Sequence, residues 1–213
     1  MIKTFIFDLG NVIVPFEVDS KIKNLQQFTK LKPEDIHEKV LLSEEIRLFE
    51  TGKISSREFF DFVKKTLDSK MNFEQFVENW NGIFILEPIL SKNLIKNLSE
   101  KYKLLILSDT NEIHFEFIKQ NFPILRYFDD FVLSYEVGFL KPSREIFQIA
   151  VEKAGCPPEE CFFTDDMEGN VTGAREFGIN AVQFISAEQF ENYISDLNLI
   201  EKKATPETQL FSN

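Results

Sequence analysis

The chain has few of the residues that stabilise small secreted domains or bind zinc. Its 213 residues include two cysteines, two histidines and one tryptophan. Cys156 and Cys161 lie close together, but no Cys or His pattern accompanies them, and a structural zinc site needs about four ligands. We therefore expect two reduced thiols in a cytoplasmic protein. His37 and His114 are predicted to lie on helix surfaces, without a catalytic role.

Long apolar runs and an excess of basic residues are also missing. The apolar run at the N-terminus is too short for a signal peptide, and no run approaches the ~18 residues of a membrane span. The charge is −11, from 24 Lys and Arg against 35 Asp and Glu. An acidic chain repels phosphate backbones and anionic lipids, so we expect neither a nucleic-acid partner nor membrane binding.

What the chain does contain is enough apolar material for a core. Its hydrophobic fraction is 43%, with 24 phenylalanines, and its length allows one or two domains at ~150 residues each. Four short apolar runs are mostly continuous, which is typical of parallel strands covered by helices on both faces. They are Phe5–Phe7, Leu104–Leu107, Cys161–Phe163 and Ala181–Ile185.

The segments between these runs have helical periodicity. Helices are predicted around Ile113–Phe117, Ile146–Ala154 and Val171–Phe177, and the last two end at Gly155 and Gly178. The alternation of strands and helices predicts an α/β fold: a Rossmann-like parallel sheet flanked by helices.

Residues 16–86 differ, because they contain amphipathic helical stretches and no convincing strand. Apolar faces are formed by Ile22–Phe28, Phe59–Val63 and Phe73–Trp80. We predict a small α-helical cap domain at 16–86, inserted after the first strand into a core made of residues 1–15 and 87–213. The polar tail from residue 197 is expected to be loosely attached, and the protein to be a monomer or weak homodimer.

Acidic and hydroxyl side chains follow three of the predicted strands: Asp8, Ser108-Asp109 and Asp165-Asp166. The carboxyl ends of parallel strands meet at one edge of a sheet, where open α/β folds bind ligands. Several carboxylates at one place need a cation, and all-oxygen ligands indicate Mg²⁺. Taken singly, each Asp could instead form a turn or cap the next helix.

Four motifs in order resemble those of haloacid dehalogenase-like hydrolases. Phe7–Val14 resembles the first motif, with its Asp, and Leu104–Thr110 resembles the second, an apolar strand that ends in Ser or Thr. Val137–Phe147 resembles the third, built around a lysine, and Phe162–Val171 resembles the acidic fourth. Members of this superfamily carry a small α-helical cap at the position that residues 16–86 occupy in this chain. Phe49–Ser55 is similar to the cap of bacterial sugar-phosphate phosphatases of this superfamily, notably the glucose-1-phosphate phosphatase type.

The resemblance implies a phosphatase that hydrolyses a small phosphorylated metabolite through an aspartyl-phosphate. Asp8 would be the nucleophile. Asp8, the carbonyl of Gly10, and Asp165 or Asp166 would hold Mg²⁺.

The remaining implied roles concern the phosphate. Lys141 would carry positive charge to the phosphate and to Asp8, and Ser108 would donate a hydrogen bond to a phosphate oxygen. Gly10 and Asn11, through backbone N–H groups after Asp8, would complete substrate binding. Asp109 would either take part in substrate binding or cap the next helix.

One position departs from the common pattern. Phosphatases of the superfamily usually have an Asp two residues after the nucleophile as general acid and base, and Gly10 stands there. Two alternatives to a phosphatase therefore remain open. One is a 2-haloacid dehalogenase, which lacks the second Asp but would give Asp165 and Asp166 no purpose. The other is a degenerate binding or regulatory protein.

Overall fold

The structure, a computed structural model, describes residues 1–200, apart from the side chain of Val18. A five-stranded sheet lies at its centre, and its strands pair in parallel throughout. The strands are β1 (Thr4–Phe7), β2 (Lys103–Ser108), β3 (Asp130–Leu133), β4 (Cys161–Asp165) and β5 (Asn180–Gln183). Their order, β3-β2-β1-β4-β5, places β1 in the middle. This confirms the predicted α/β fold with a parallel sheet.

Four of the five strands coincide with predicted apolar runs, although β5 begins and ends earlier than the run Ala181–Ile185. The strand that the sequence did not predict is β3. It pairs only with β2, at one edge of the sheet. β3 begins with the polar Asp130, so its apolar stretch is only Phe131–Leu133. A strand this short, with one neighbour, leaves a weak pattern in the sequence.

Helices fill the segment between β1 and β2. They are α1 (Val18–Gln26), α2 (Pro33–Ile36, which continues as a π-helical stretch at His37–Leu41), α3 (Glu44–Glu50), α4 (Ser56–Thr66), α5 (Phe73–Asn81) and α6 (Lys92–Ser99). Capping boxes begin two of them: Ser55 with Glu58 at α4, and Asn72 with Gln75 at α5. Each box satisfies backbone N–H groups that would otherwise lack a partner.

The helices α1–α5 and the α2–α3 connection enclose an apolar cluster of their own. Phe49, Phe59 and Trp80 are among its fully or almost fully buried members. The three apolar faces expected from the sequence lie on α1, α4 and α5, whereas α3 was not predicted. Ile113 joins this cluster from the core, and Ser56 Oγ donates a 2.6 Å hydrogen bond to Glu112. These contacts support a helical cap, and its boundaries at 16 and 86 stay predictions.

The remaining helices cover the two faces of the sheet. They are α7 (Glu112–Asn121), α8 (Ser134–Val137), α9 (Arg144–Ala154), α10 (Glu168–Phe177) and α11 (Ala187–Asp196). Phe5 and Phe7 point into the cluster that includes α6, α7 and α11, and Ile6 points into the cluster formed with α9 and α10. Because both faces are buried, the strands have continuous apolar runs.

The C-terminal tail is partly packed against the core. The tail was expected to be loose from residue 197, but Leu199 and Ile200 pack on the core, and Tyr102 Oη donates a 2.9 Å hydrogen bond to Leu199 O. Residues 201–213 lie outside the described part.

Cys156 and Cys161 are free thiols with Sγ atoms 3.6 Å apart. Among residues 1–200, no helix is long and apolar enough to cross a membrane.

Candidate active site

Three strand ends meet at the carboxyl edge of the sheet, as the sequence predicted. Phe7, the last residue of β1, is in register with Ile106 in β2 and with Thr164 in β4. Asp8 therefore emerges between the ends of the two neighbouring strands, and its N–H donates to Thr164 O at 2.9 Å. Ser108 and Asp165 are the last residues of β2 and β4, and both are buried.

Lys141 reaches this edge from the loop between α8 and α9. Its Nζ lies 2.6 Å from Asp8 Oδ1, 2.6 Å from Asp165 Oδ2 and 3.1 Å from Leu107 O. The lysine side chain is 2% exposed. Burial alone lowers the pKa of Lys141, but the neighbouring carboxylates outweigh burial and raise it. Lys141 is therefore a fixed cation between two carboxylates.

The loop that carries Lys141 rests on α10. A Cβ at Gly173 would lie 2.6 Å from the Pro142 side chain, so this glycine lets the loop approach the helix closely. Gly138, with φ 83°, ends α8 before the loop. Asp109 Oδ1 accepts a 3.0 Å hydrogen bond from the Lys141 N–H. The loop is thus held from both sides, which restricts where the lysine side chain can reach.

Asp165 is fully buried, and each of its two carboxylate oxygens accepts two hydrogen bonds. Oδ1 accepts hydrogen bonds from the Met167 N–H at 2.8 Å and from Asn170 Nδ2 at 3.1 Å, and Oδ2 accepts from Lys141 and Asn170. Asn170 was not among the predicted site residues. It lies five positions after Asp165, on the first turns of α10, and that spacing within the acidic motif was the available signal.

Asp166 is less enclosed and differently bonded. Its carboxylate accepts a hydrogen bond from the Asn11 side chain, and its backbone carbonyl accepts one from Gln183 Nε2 at 2.8 Å. Burial and the Asp165 charge raise its pKa, against the effects of Lys141 and Asn11. Asp166 therefore keeps more of its lone pairs free than Asp165 does.

Asp8, Asp165 and Asp166 form a cluster that suits a hard divalent cation. One carboxylate oxygen from each lies within 4.8 Å of the others. Burial raises the pKa of Asp8 to about 7; the Lys141 charge opposes this rise and Asp165 adds to it. Lys141 supplies one positive charge to three acidic groups, and these three groups offer oxygen ligands, so they fit a Mg²⁺-like ion. Gly10 stays a predicted ligand through its carbonyl.

A tight turn follows Asp8. Leu9 O accepts hydrogen bonds from Ile13 N at 3.0 Å and Val14 N at 2.8 Å, and Asn11 adopts a left-handed φ of 51°. Asn11 Oδ1 accepts from Phe16 N at 3.2 Å. The Asn11 N–H donates to Val14 O at 2.9 Å, so it is used within the turn, whereas the phosphate contact through the Gly10 N–H stays a prediction.

Asp109 is not a helix cap, because Asn111 caps α7 through a bond from the His114 N–H to its Oδ1. Its predicted part in substrate binding stays a prediction. The expectation that His114 lies on a helix surface was wrong. Its ring is buried against Trp80 and Phe84. These aromatic neighbours come from α5 and the linker after it, so the helical periodicity of α7 alone could not reveal the burial.

The cap contributes two further ionisable groups that sequence reasoning missed, Lys21 on α1 and Glu50 at the end of α3. Lys21 Nζ lies 4.4 Å from the centre of the Trp80 ring. Burial lowers the pKa of Lys21 to about 8, and burial raises that of Glu50 to about 7. The charge of Asp109 also raises the pKa of Glu50, so this cap carboxyl lies within electrostatic range of the end of β2.

Comparison with known proteins gives the same picture. The family model of the haloacid dehalogenase-like hydrolases matches residues 2–178 of this chain. A D-ribitol-5-phosphate phosphatase of Bacteroides thetaiotaomicron is 30% identical over 192 residues, which span 86% of this chain and 92% of that protein. A glyceraldehyde 3-phosphate phosphatase of Methanothermobacter thermautotrophicus is 32% identical over 101 residues, 45% of this chain and 42% of that protein.

Among solved structures, one of a haloacid dehalogenase family enzyme from Bacteroides thetaiotaomicron, in complex with magnesium and inorganic phosphate, is 32% identical with a TM-score of 0.81. The match covers 91% of this chain and 99% of that one. Both the fold and the family expected from the four motifs are confirmed. The chain belongs to the haloacid dehalogenase-like hydrolases.

Proposed function

We propose that this hydrolase is a Mg²⁺-dependent phosphatase of small phosphomonoesters, with a sugar or polyol phosphate as substrate. The observation that carries the proposal is the ammonium group of Lys141, 2.6 Å from both Asp8 and Asp165 at the carboxyl edge of the sheet. Phosphoryl transfer depends on positioning and on neutralising charge rather than on elaborate covalent chemistry. A fixed cation beside a buried carboxylate nucleophile supplies both.

In the proposed reaction Asp8 attacks the phosphorus with its second carboxylate oxygen, since Lys141 already occupies Oδ1. The bond to the leaving oxygen breaks, and water then cleaves the aspartyl-phosphate. Lys141 holds Asp8 in place and stabilises the charge on the phosphoryl group. The Ser108 hydroxyl and the Gly10 N–H donate hydrogen bonds to phosphate oxygens, whereas the Asn11 N–H stays bonded to Val14 O.

For the metal, Asp8, the Gly10 carbonyl and Asp166 are the proposed ligands. Mg²⁺ held by these groups would supply positive charge that neutralises the phosphoryl oxygens beside Asp8. Asp165 makes four hydrogen bonds, so its proposed role is to hold Lys141, Asn170 and the start of α10. The magnesium and phosphate present in the similar Bacteroides structure support this choice of ion.

A basic cleft supports an anionic substrate. It measures about 510 Å³ and lies between the cap and the lysine loop. Arg47 and Lys53 line its cap side, and Gly138 to Ser143 line its core side. In a chain with a charge of −11, the two cations Arg47 and Lys53 attract a phosphate locally, beside the loop that carries Lys141.

One assay separates the phosphatase from its two rivals. The chain is incubated with 4-nitrophenyl phosphate, with and without Mg²⁺, and with 2-chloropropionate. Mg²⁺-dependent phosphate release supports the proposal, and chloride release without metal would establish the dehalogenase. Absence of both, with the fold intact, would contradict both enzymes and favour a binding protein. The Asp8→Asn variant is the control for contaminating phosphatases.

The substrate is best sought among phosphorylated polyols and sugars. The similar proteins are named for D-ribitol 5-phosphate and glyceraldehyde 3-phosphate, and the cap motif indicates a sugar 1-phosphate. A panel should contain these three types and a hexose 6-phosphate, scored by kcat/KM. Uniformly low values for all four would contradict a sugar or polyol phosphate as substrate. A reducing, cytoplasmic location and a monomeric or weakly dimeric state stay predictions.

A further inference from the structure

The active site lacks a proton donor where the family usually has one, because Gly10 stands two residues after Asp8. A sugar or polyol leaving group departs as an alkoxide and needs a proton, which general acid catalysis supplies with a typical gain of ~10²–10⁴-fold. The donor must be a group that faces the open side of the site. Asp165 does not qualify, since its oxygens accept four hydrogen bonds within the protein.

The end of α3 is pressed against the core beside the lysine loop. Gly52, with φ 65°, follows α3, and a Cβ there would lie only 2.0 Å from the carbonyl oxygen of Tyr135. Tyr135 belongs to α8, which leads directly into the loop of Lys141. The close contact fixes the turn at Thr51–Gly52, and therefore fixes Glu50, the last residue of α3, at the boundary between cap and core.

Glu50 faces charged groups on two sides. The charges of Lys21, on α1, and of Asp109, directly after β2, both act on its carboxyl group. Asp109 is itself bonded to the N–H of Lys141. Glu50 is thus a half-buried cap carboxyl within electrostatic range of the residue that holds the Lys141 backbone. Lys21 is held on the Trp80 ring, in range to influence His114 of α7.

We propose that Glu50 of the cap is the catalytic proton donor to the leaving oxygen, in place of the acid absent at Gly10, and that Lys21 is the residue that positions it. The proposal rests on the phosphatase function. As Asp8 attacks, the bond from phosphorus to the leaving oxygen breaks, its electron pair stays on that oxygen, and the oxygen takes the proton of Glu50. The Glu50 carboxylate, stabilised by the charge of Lys21, then takes a proton from the water that attacks the aspartyl-phosphate, and the acid form is restored.

The ionisation of these groups agrees with this role. Burial raises the pKa of Glu50 to about 7, so a large share is protonated at neutral pH and the carboxylate is also accessible. The positive charge of Lys21 keeps that pKa from rising further, whereas Asp109 raises it. Burial also raises the pKa of Asp109, which makes Asp109 the rival donor.

The test compares leaving groups in Glu50→Gln, which keeps the size of the side chain. Ribitol 5-phosphate needs a proton on its leaving oxygen, and 4-nitrophenyl phosphate needs almost none. We expect kcat for ribitol 5-phosphate to fall about 10²-fold or more, and kcat for 4-nitrophenyl phosphate to change much less. Glu44→Gln, an exposed position on the same helix, is the matched control and should change neither.

The pH profile provides a second readout. Wild-type kcat for ribitol 5-phosphate should decline above about pH 7, as Glu50 loses its proton, and this decline should be absent in Glu50→Gln. Lys21→Met removes the cation that lowers the pKa of Glu50, so the decline should move to higher pH. Lys21→Arg keeps the charge, so the decline should stay at the wild-type pH. A merely structural role for Lys21 would lower the rate without moving the profile.

Three results would overturn the assignment. Equal losses with both substrates in Glu50→Gln would give Glu50 a binding or structural role. A selective loss with ribitol 5-phosphate in Asp109→Asn, and none in Glu50→Gln, would make Asp109 the donor. A wild-type profile without the alkaline decline would also contradict the proposal. Failure of the phosphatase function itself would look different, because wild type would then release no phosphate from either substrate.

Discussion

Asp8 and Lys141 are 133 residues apart in the chain, and their charged groups are 2.6 Å apart in the structure. The contact joins the end of β1 to the loop before α9 in a buried position. Breaking a buried ion pair by removing one partner costs about 3–5 kcal/mol, because the remaining charge has lost its compensation. The pair therefore orients the proposed nucleophile and also contributes to holding the lysine loop on the sheet.

The first prediction is that Asp8→Asn abolishes phosphate release and leaves the fold intact. The amide oxygen still accepts a hydrogen bond from Lys141, but an amide does not form an aspartyl-phosphate. We expect kcat to fall about 10³-fold or more, measured with 4-nitrophenyl phosphate. Far-ultraviolet circular dichroism of the variant should match that of wild type. Activity within about tenfold of wild type would refute Asp8 as nucleophile.

The second prediction distinguishes the two neighbouring acids, Asp165 and Asp166. Mg²⁺ binds the folded state and should raise the melting temperature of wild type. In Asp166→Asn this rise should be lost while the variant stays about as stable as metal-free wild type. Asp165→Asn should instead lower stability, by about 3 kcal/mol, because one of the two carboxylates that compensate buried Lys141 is gone.

Differential scanning fluorimetry with and without Mg²⁺ measures both effects. Ca²⁺, which binds similar oxygen ligands, is a useful second ion. If Asp166→Asn kept the full Mg²⁺-dependent rise, the metal would not be held by Asp166. If Asp165→Asn were as stable as wild type, the Asp165 carboxylate would not compensate the buried charge of Lys141 in the way proposed.

The carboxyl-edge cluster was predictable because it follows from strands and sequence order. An apolar strand that ends in an acid or a hydroxyl places that side chain at the shared edge, so sequence order alone predicts that Asp8, Ser108 and Asp165 lie together. Lys141 lies in a loop, where no periodicity fixes its direction. Only the family resemblance predicted that Lys141 lies at this edge. In the structure its Nζ lies 2.6 Å from both Asp8 and Asp165.

The cap side of the site was not predictable in the same way. Glu50 is one of many acidic residues on amphipathic helices, and its neighbours Lys21 and Asp109 are distant in sequence. His114 has the helical spacing of a surface residue until Trp80 and Phe84 cover it from α5 and the linker. Packing between two helical units depends on side-chain shape, which local periodicity does not encode.

The third prediction concerns pH and His114, which joins the cap to the core. Asn111 Oδ1 accepts from the His114 N–H, so its Nδ2 donates to Nδ1, and the ring Nε2–H donates to Trp80 O at 3.1 Å. The imidazole is therefore neutral. Burial lowers its pKa well below the usual value, and the Lys21 charge adds to the effect.

A lowered pKa in the folded state means that the unfolded state binds more protons below about pH 6.5. The contribution of His114 to the free energy of unfolding is complete above that pH and is lost as the pH falls. His114→Gln, which can still donate to Trp80 O, should lose less stability than wild type between pH 7 and pH 5. Glu50, with its raised pKa, has the opposite slope in that range. The difference between the two proteins in urea titrations isolates His114, and parallel curves would refute the prediction.

The fourth prediction concerns Gly10. A Cβ at this position would lie 2.7 Å from Phe16 Cε1, so Gly10→Asp forces the Phe16 ring to move, and some stability is lost. The ring edge can shift, since Phe16 is only half-buried and its ring centre is 6.3 Å from that of Phe84. The new carboxyl would stand two residues after Asp8, where the family usually has its acid.

If Glu50 already supplies the proton, Gly10→Asp alone should change the ratio of kcat for ribitol 5-phosphate to kcat for 4-nitrophenyl phosphate very little. In the Glu50→Gln background the same substitution should raise that ratio, by about tenfold or more, because it restores an acid that only the alkyl substrate needs. The ratio cancels losses from the displaced Phe16 ring and from added repulsion near Asp8. Gly10→Asn, with the same bulk and no acid, is the control. A rise in the ratio for Gly10→Asp alone, as large as in the double variant, would mean that the wild-type site has no working acid and that Glu50 is not the donor.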